Sequence, residues 1–191
     1  MRADVSGTLG WLVVNREVPA GYDFGDDWQH SLFAAATAGW YWTDHLKTEL
    51  ELGAGTETTA YRSRRIVIDG RPTSEFVESR YVRRRVGLGQ HYQFFRNAWF
   101  HPYVAAGANV SFDDITDRTH AVVTYGPAPG NTRVIEPERI DRRSTVVVSP
   151  FVSAGFKAYL TERGFFRSAL EVTLRDGVDE VLLRFGFGMD F

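Results

Sequence analysis

The chain has 191 residues, a formal net charge of −2 and no cysteine. That length is one ordinary domain, the near-cancelling charge gives no general pull toward nucleic acid, and disulfides, thiolate metal sites and cysteine nucleophiles are excluded. No stretch approaches the roughly 20 apolar residues of a membrane helix; among the longest nearly apolar runs is "SLFAAATAGWYW" at 31–42.

Taken in order, the elements repeat one pattern. "MRADVSGTLG" lacks the apolar region of a secretory signal, so if the chain is exported its signal has already been removed. Residues 4–14 set Val5, Leu9, Trp11 and Val13 against Asp4, Ser6, Thr8 and Gly10. A period of two is the mark of a strand with one apolar face. Residues 30–42 set Leu32, Ala34, Ala36, Ala38, Trp40 and Trp42 against Ser31, Thr37 and Gly39. Residues 46–58 set Leu46, Leu50, Leu52 and Ala54 against Lys47, Glu49, Glu51 and Glu57. In 81–95, Val82, Val86, Leu88, Tyr92 and Phe94 oppose Arg83, Arg85, Gly87, Gly89, His91 and Gln93, while Arg84 and Gln90 fall on the apolar side.

Residues 102–112, 146–160 and 166–174 alternate in the same way, as does the stretch from Glu180 to Phe191. These are eight strands, and no segment has a helical period. Short connections at 43–45, 96–101 and 161–164 alternate with long ones at 15–29, 60–76 and 113–145; the connection at 175–179 is also short. Asp69-Gly70 is a hairpin signal that predicts two strands running past the others, and "TYGPAPGNTR" marks a second hairpin tip.

Two architectures fit an eight-stranded meander. A lipocalin-like barrel buries its apolar face in the lumen; a transmembrane barrel turns it toward lipid. The second is favoured because the polar face is rich in glycine and small residues, as a narrow interior requires. Aromatics also gather beside the short connections (Trp40, Trp42, Tyr92, Phe94, Trp99, Phe100, Phe165, Phe166 and Phe191), as an interfacial girdle would. The expected fold is all-β: an eight-stranded antiparallel up-and-down transmembrane β-barrel, one domain over 1–191.

On that register Lys47, Glu49, Glu51, Glu57, Arg83, Arg85, Lys157, Arg167, Glu171, Glu180 and Arg184 point into the lumen. Buried charges must pair, so they form either an ion-pair plug or the wall of a narrow path for ions or small solutes. A second cluster, Arg62, Arg64, Arg65, Arg71, Arg80 and Arg84, falls near the extended hairpin, with Arg139, Arg142 and Arg143 on the next long connection. Arginine forks there suit lipid phosphates; a solvated rim paired with acids such as Asp23, Asp26 and Asp27 is the alternative.

The segment "SPFVSAGFKAYLTERGFFRSALEVTLRDG" followed by "LLRFGFGMDF" resembles the last strands of small Gram-negative outer-membrane barrels of the OmpA, OmpX and OmpW type. The resemblance implies a bacterial outer-membrane location. It also implies an insertion signal in Phe185, Phe187, Met189 and Phe191, read by the barrel-insertion machinery. Lipid and lipopolysaccharide become the expected partners of a monomer without cofactor or nucleic acid. Barrel enzymes of such membranes use catalytic His and Ser residues, but His30, His45, His91, His101 and His120 form no His-x-Ser pair and no HExxH cluster. The expected role is non-enzymatic, structural or surface-binding through long loops, with a channel and a soluble ligand-binding barrel as alternatives.

Overall fold

The computed structural model describes residues 2–15, 21–22, 24–25, 28–68, 71–95, 99–125, 132–175 and 177–191. Its strands are β1 (Arg2–Asn15), β2 (Phe24–Gly25), β3 (Trp28–Tyr41), β4 (Leu46–Gly55), β5 (Thr58–Ile68), β6 (Arg71–Gln93), β7 (Phe100–Thr119), β8 (Val122–Tyr125), β9 (Thr132–Glu136), β10 (Arg139–Tyr159), β11 (Gly164–Leu174) and β12 (Val178–Asp190). All pairings are antiparallel, and the described residues contain no helix.

The pairings form a ring: β1–β3–β4–β6–β7–β10–β11–β12 and back to β1. A ring of eight removes every edge at bilayer level, which a sheet in hydrocarbon requires. The stretch read as one strand at 46–58 breaks at Thr56–Glu57, after which β5 continues along β6. Asp69-Gly70 and the 126–131 tip lie outside the described residues, but their flanks pair as hairpins, Ile68 with Arg71 and Tyr125 with Thr132.

Alternation decides which way each residue faces. Along β1, Asp4, Ser6, Thr8 and Leu12 are buried while Val5, Leu9 and Trp11 are exposed. On β12, Leu183, Phe185, Phe187 and Met189 are exposed while Arg184 is buried. The barrel is therefore inverted relative to a soluble protein, with apolar side chains outside and charges inside, as in a transmembrane barrel. The outer apolar band ends where Arg84 donates to Asp114 (3.1 Å) and Ser144 donates to the same carboxylate (2.6 Å).

Two positions correct the sequence reading. Phe165 is 1 % exposed and turned into the lumen, so it is no girdle residue; its neighbour Phe166 takes the outward place. Glu57 sits in the strand break, exposed, 3.9 Å from Arg80, and does not face the lumen.

The narrow interior explains several glycines. A Cβ on Gly53 would meet the Phe33 ring at 2.3 Å, and one on Gly186 would meet the Gly7 carbonyl at 2.1 Å. Both glycines face a lumen already filled by neighbouring side chains and backbone.

Candidate functional site

At the short-turn end, Lys157 Nζ donates to Asp4 (2.6 Å), the Tyr41 hydroxyl (2.7 Å) and Asp190 (3.2 Å), and lies 3.7 Å from the Phe165 ring centroid. Lys47 bridges Asp4 (3.1 Å) and Glu49 (2.5 Å). Tyr159 donates its hydroxyl proton to Asp190.

Next comes Arg167, whose two terminal nitrogens meet the two oxygens of Glu49 at 3.0 Å each. The same guanidinium reaches Ser6, Thr37 and Tyr103, each at 3.1 Å. His91 packs against Tyr103, with Nε2 3.6 Å from Glu49.

A third layer alternates Arg85 and Arg184 with Glu51 and Glu171. Arg85 meets Glu51 at 2.5 Å and Glu171 at 2.9 Å; Arg184 meets Glu171 at 3.1 Å and also pairs with Glu51. Asn109 donates to Glu171 (3.1 Å). Above it, Arg83 forks onto Asp113 (2.8 and 2.7 Å) and pairs with Glu180. Beside these layers a void of about 10 Å³ borders Glu49, Glu51 and Glu171, room for roughly one water.

An apolar cluster of Leu12, Val14, Phe33, Ala35, Tyr81, Ile115 and Leu182 completes the interior. Arg85 lies 4.7 Å from the Phe33 centroid and Arg83 5.4 Å from that of Tyr81, so this cluster meets the ion pairs directly.

The wall is uneven. On one side β5, β6, β7 and β10 rise beyond the apolar band, while β11 stops at Leu174 and β12 begins at Val178. From Arg139 through Pro150, β10 pairs with β7 alone among the described residues; its pairing with β11 begins at Phe151. Pro150, which has no N–H to donate, stands at that junction. On the outer face of this raised sheet, Arg80, Thr116 and Arg142 share one cross-strand row, and Glu78, Arg118 and Ile140 the next. Arg118 donates to Glu138 (2.8 and 3.1 Å), and that hydrogen bond holds the Glu138 carboxyl below its ordinary range.

No family model matches the chain, and no curated protein sequence matches it. Solved structures do. The N-terminal β-barrel domain of OprF from Pseudomonas aeruginosa matches at 15 % identity and TM-score 0.53, covering 100 % of this chain and 97 % of that one. Ail, the attachment invasion locus protein of Yersinia pestis, matches at 13 % identity and TM-score 0.51, covering 100 % of both chains. Neisserial surface protein A matches at 10 % identity and TM-score 0.57, covering 100 % and 97 %. The fold is that of the small bacterial outer-membrane barrels.

In this barrel ten of the eleven lumen charges expected from sequence (Lys47, Glu49, Glu51, Arg83, Arg85, Lys157, Arg167, Glu171, Glu180 and Arg184) lie inside, in two ion-pair groups: Lys47, Lys157 and Arg167 with Asp4 and Glu49, and Arg83, Arg85 and Arg184 with Glu51, Glu171 and Glu180. Sequence reading placed Asp4, Asp190 and His91 on the inner face without assigning them to either group, and missed Asp113 because that strand was ended at Phe112. Extending the alternation one residue would have found it.

The arginine cluster divides. Arg62 is 7 % exposed, so it is not presented at the rim. Arg64 pairs with Glu75. Arg80 meets Glu78 at 2.9 Å and Arg84 meets Asp114 at 3.1 Å on the outer face. Arg65 lies on the exposed sheet. The Arg71 side chain and the loop acids Asp23, Asp26 and Asp27 lie outside the described residues.

Proposed function

We propose that this barrel is a non-enzymatic protein of the bacterial outer membrane whose closed lumen supports a raised binding sheet. The observation that carries the reading is the crossing of the lumen by ion pairs from Asp4 to Glu180, met by the Leu12–Phe33–Leu182 cluster. An eight-stranded interior is only wide enough to be filled by side chains, and here each layer spans it. The chain acts as a monomer of 1–191 forming one barrel domain, with no cofactor or nucleic-acid partner. Phe185, Phe187, Met189 and Phe191 supply the outward face read by the insertion machinery.

Binding falls to the sheet of β5, β6, β7 and β10, where backbone groups along Arg139–Ser149 face no second strand among the described residues. Arg80, Arg84 and Arg142 lie at the edge of the apolar band there, with Arg65 farther up the sheet opposite Ser74, and suit lipopolysaccharide phosphates. Likeness to Ail in complex with the heparin analogue sucrose octasulfate (12 % identity, TM-score 0.51, 100 % of both chains) supports a polyanion as the class of ligand.

Planar-bilayer recording of purified protein tests the closed lumen: little or no steady conductance is expected. Stable, ion-selective channels would overturn it in favour of a narrow pore. Lipopolysaccharide binding should weaken in Arg80→Ala/Arg142→Ala; unchanged binding would remove the arginine rows from the proposal.

A further inference from the structure

The outer wall carries a trough on the short-turn side of the band, with a volume of about 630 Å³. Its floor is made by two methyl groups, Ala106 and Ala154; Tyr92 and Val104 stand on one flank, Leu170 and Val172 on the other. The register explains the shape. Gln90, Ala106 and Val152 form one outward row, and Tyr92, Val104, Ala154 and Leu170 the next, so small side chains fall diagonally between large ones.

Gln90 also lines this trough, although Thr48 apart its neighbours on the outward face are apolar. Its amide nitrogen donates to Thr48 Oγ1 at 2.6 Å, and the same hydroxyl accepts the Trp42 indole N–H at 2.7 Å. The amide is thus held by its nitrogen, and its carbonyl oxygen accepts no bond among the described residues. Thr48 pairs with Trp40, which puts the oxygen at the level of the tryptophan girdle, where head groups lie. An acceptor at that level is open to a head-group donor or to water.

We infer that the trough is a binding site for one membrane phospholipid, resting on the reading of the chain as a bilayer-spanning barrel. An acyl chain lies over Ala106 and Ala154, and a head group bearing a hydrogen-bond donor meets the Gln90 carbonyl. Phosphatidylethanolamine supplies such a donor through its ammonium; phosphatidylcholine, with a quaternary nitrogen, does not.

The test is native mass spectrometry of the full chain in an equimolar mixture of phosphatidylethanolamine and phosphatidylcholine with identical acyl chains. Wild-type protein should retain phosphatidylethanolamine about three- to tenfold over phosphatidylcholine, the ratio one hydrogen bond gives. Gln90→Leu should still retain lipid but lose the preference. Ala106→Phe, or Ala154→Phe if the first does not fold, should lose both lipids while still changing gel mobility on boiling, as a folded closed barrel is expected to do. Equal retention of both lipids by wild-type protein, undiminished retention by the filled-trough variants, or a dimer in place of lipid adducts would overturn the site. Bilayer conductance does not depend on this trough, so the two readings fail separately.

Discussion

Arg167 and Glu49 face each other as two matched forks, nitrogen to oxygen at 3.0 Å twice, with both side chains nearly shut off from solvent. Removing one partner of such a pair leaves a buried charge uncompensated, at a cost of about 3–5 kcal/mol. Glu49→Ala should show that loss in denaturant unfolding from lipid or detergent. Because Arg167 also holds Ser6, Thr37 and Tyr103, Arg167→Lys should lose the fork and destabilise too. The double variant Glu49→Leu/Arg167→Met should cost less than the sum of its single changes; strict additivity would show that the pair is not coupled.

Arg184 extends the same logic to the adjoining layer, where it joins Glu51 and Glu171. Arg184→Ala should destabilise by about 3–5 kcal/mol. Neutralising the layer together, as Arg184→Leu/Glu51→Leu, should recover part of that loss. A variant as stable as the parent after Arg184→Ala alone would contradict the pairing.

The lipid-facing register is tested at Leu183, which is exposed between buried Leu182 and Arg184. Leu183→Arg should cost roughly 2–4 kcal/mol if it lies near the bilayer midplane. Glu162→Arg, at an exposed short turn, should stay within about 0.5 kcal/mol. Equal tolerance of the two changes in refolding titrations would place Leu183 off the lipid face.

Crowding is tested at Gly53, where an added Cβ would lie 2.3 Å from the Phe33 ring. Gly53→Ala should destabilise by about 1–3 kcal/mol through overpacking. In a Phe33→Leu background that cost should shrink, since the group in the way is gone. A cost independent of residue 33 would mean that the backbone, not the ring, sets the limit.

Much of this was legible in the alternation. Residues such as Glu49, Arg167 and Arg184 declared their face because every second neighbour is apolar or small. The apolar cluster was not legible, because Leu12, Phe33 and Leu182 sit beside outward apolar residues, and a strand apolar on both faces loses its period. Phe165 misled for the same reason, since adjacent phenylalanines at 165 and 166 carry no sign of which turns inward. Arg62 shows a different limit: charge alone suggested the rim, whereas its face depended on how far the alternation of β4 carried through the break into β5. Nor does single-sequence alternation reveal that β11 stops pairing at Phe151 of β10, because wall height is a property of neighbouring strands together.

The seam between β1 and β12, aligned from Asp4 with Asp190 to Val14 with Glu180, has a kinetic meaning. Apart from β1 with β3, β4 with β6 and β7 with β10, every other neighbour in the ring is the next strand along the chain, but this pair waits for almost the whole polypeptide. Contacts that close so long a loop come slowly, and until they form β1 offers hydrogen-bonding groups along one flank to whatever strand is near. The unclosed sheet is therefore the species most open to mispairing, and whatever shields that flank during synthesis governs the yield of barrel more than the final strength of the seam does.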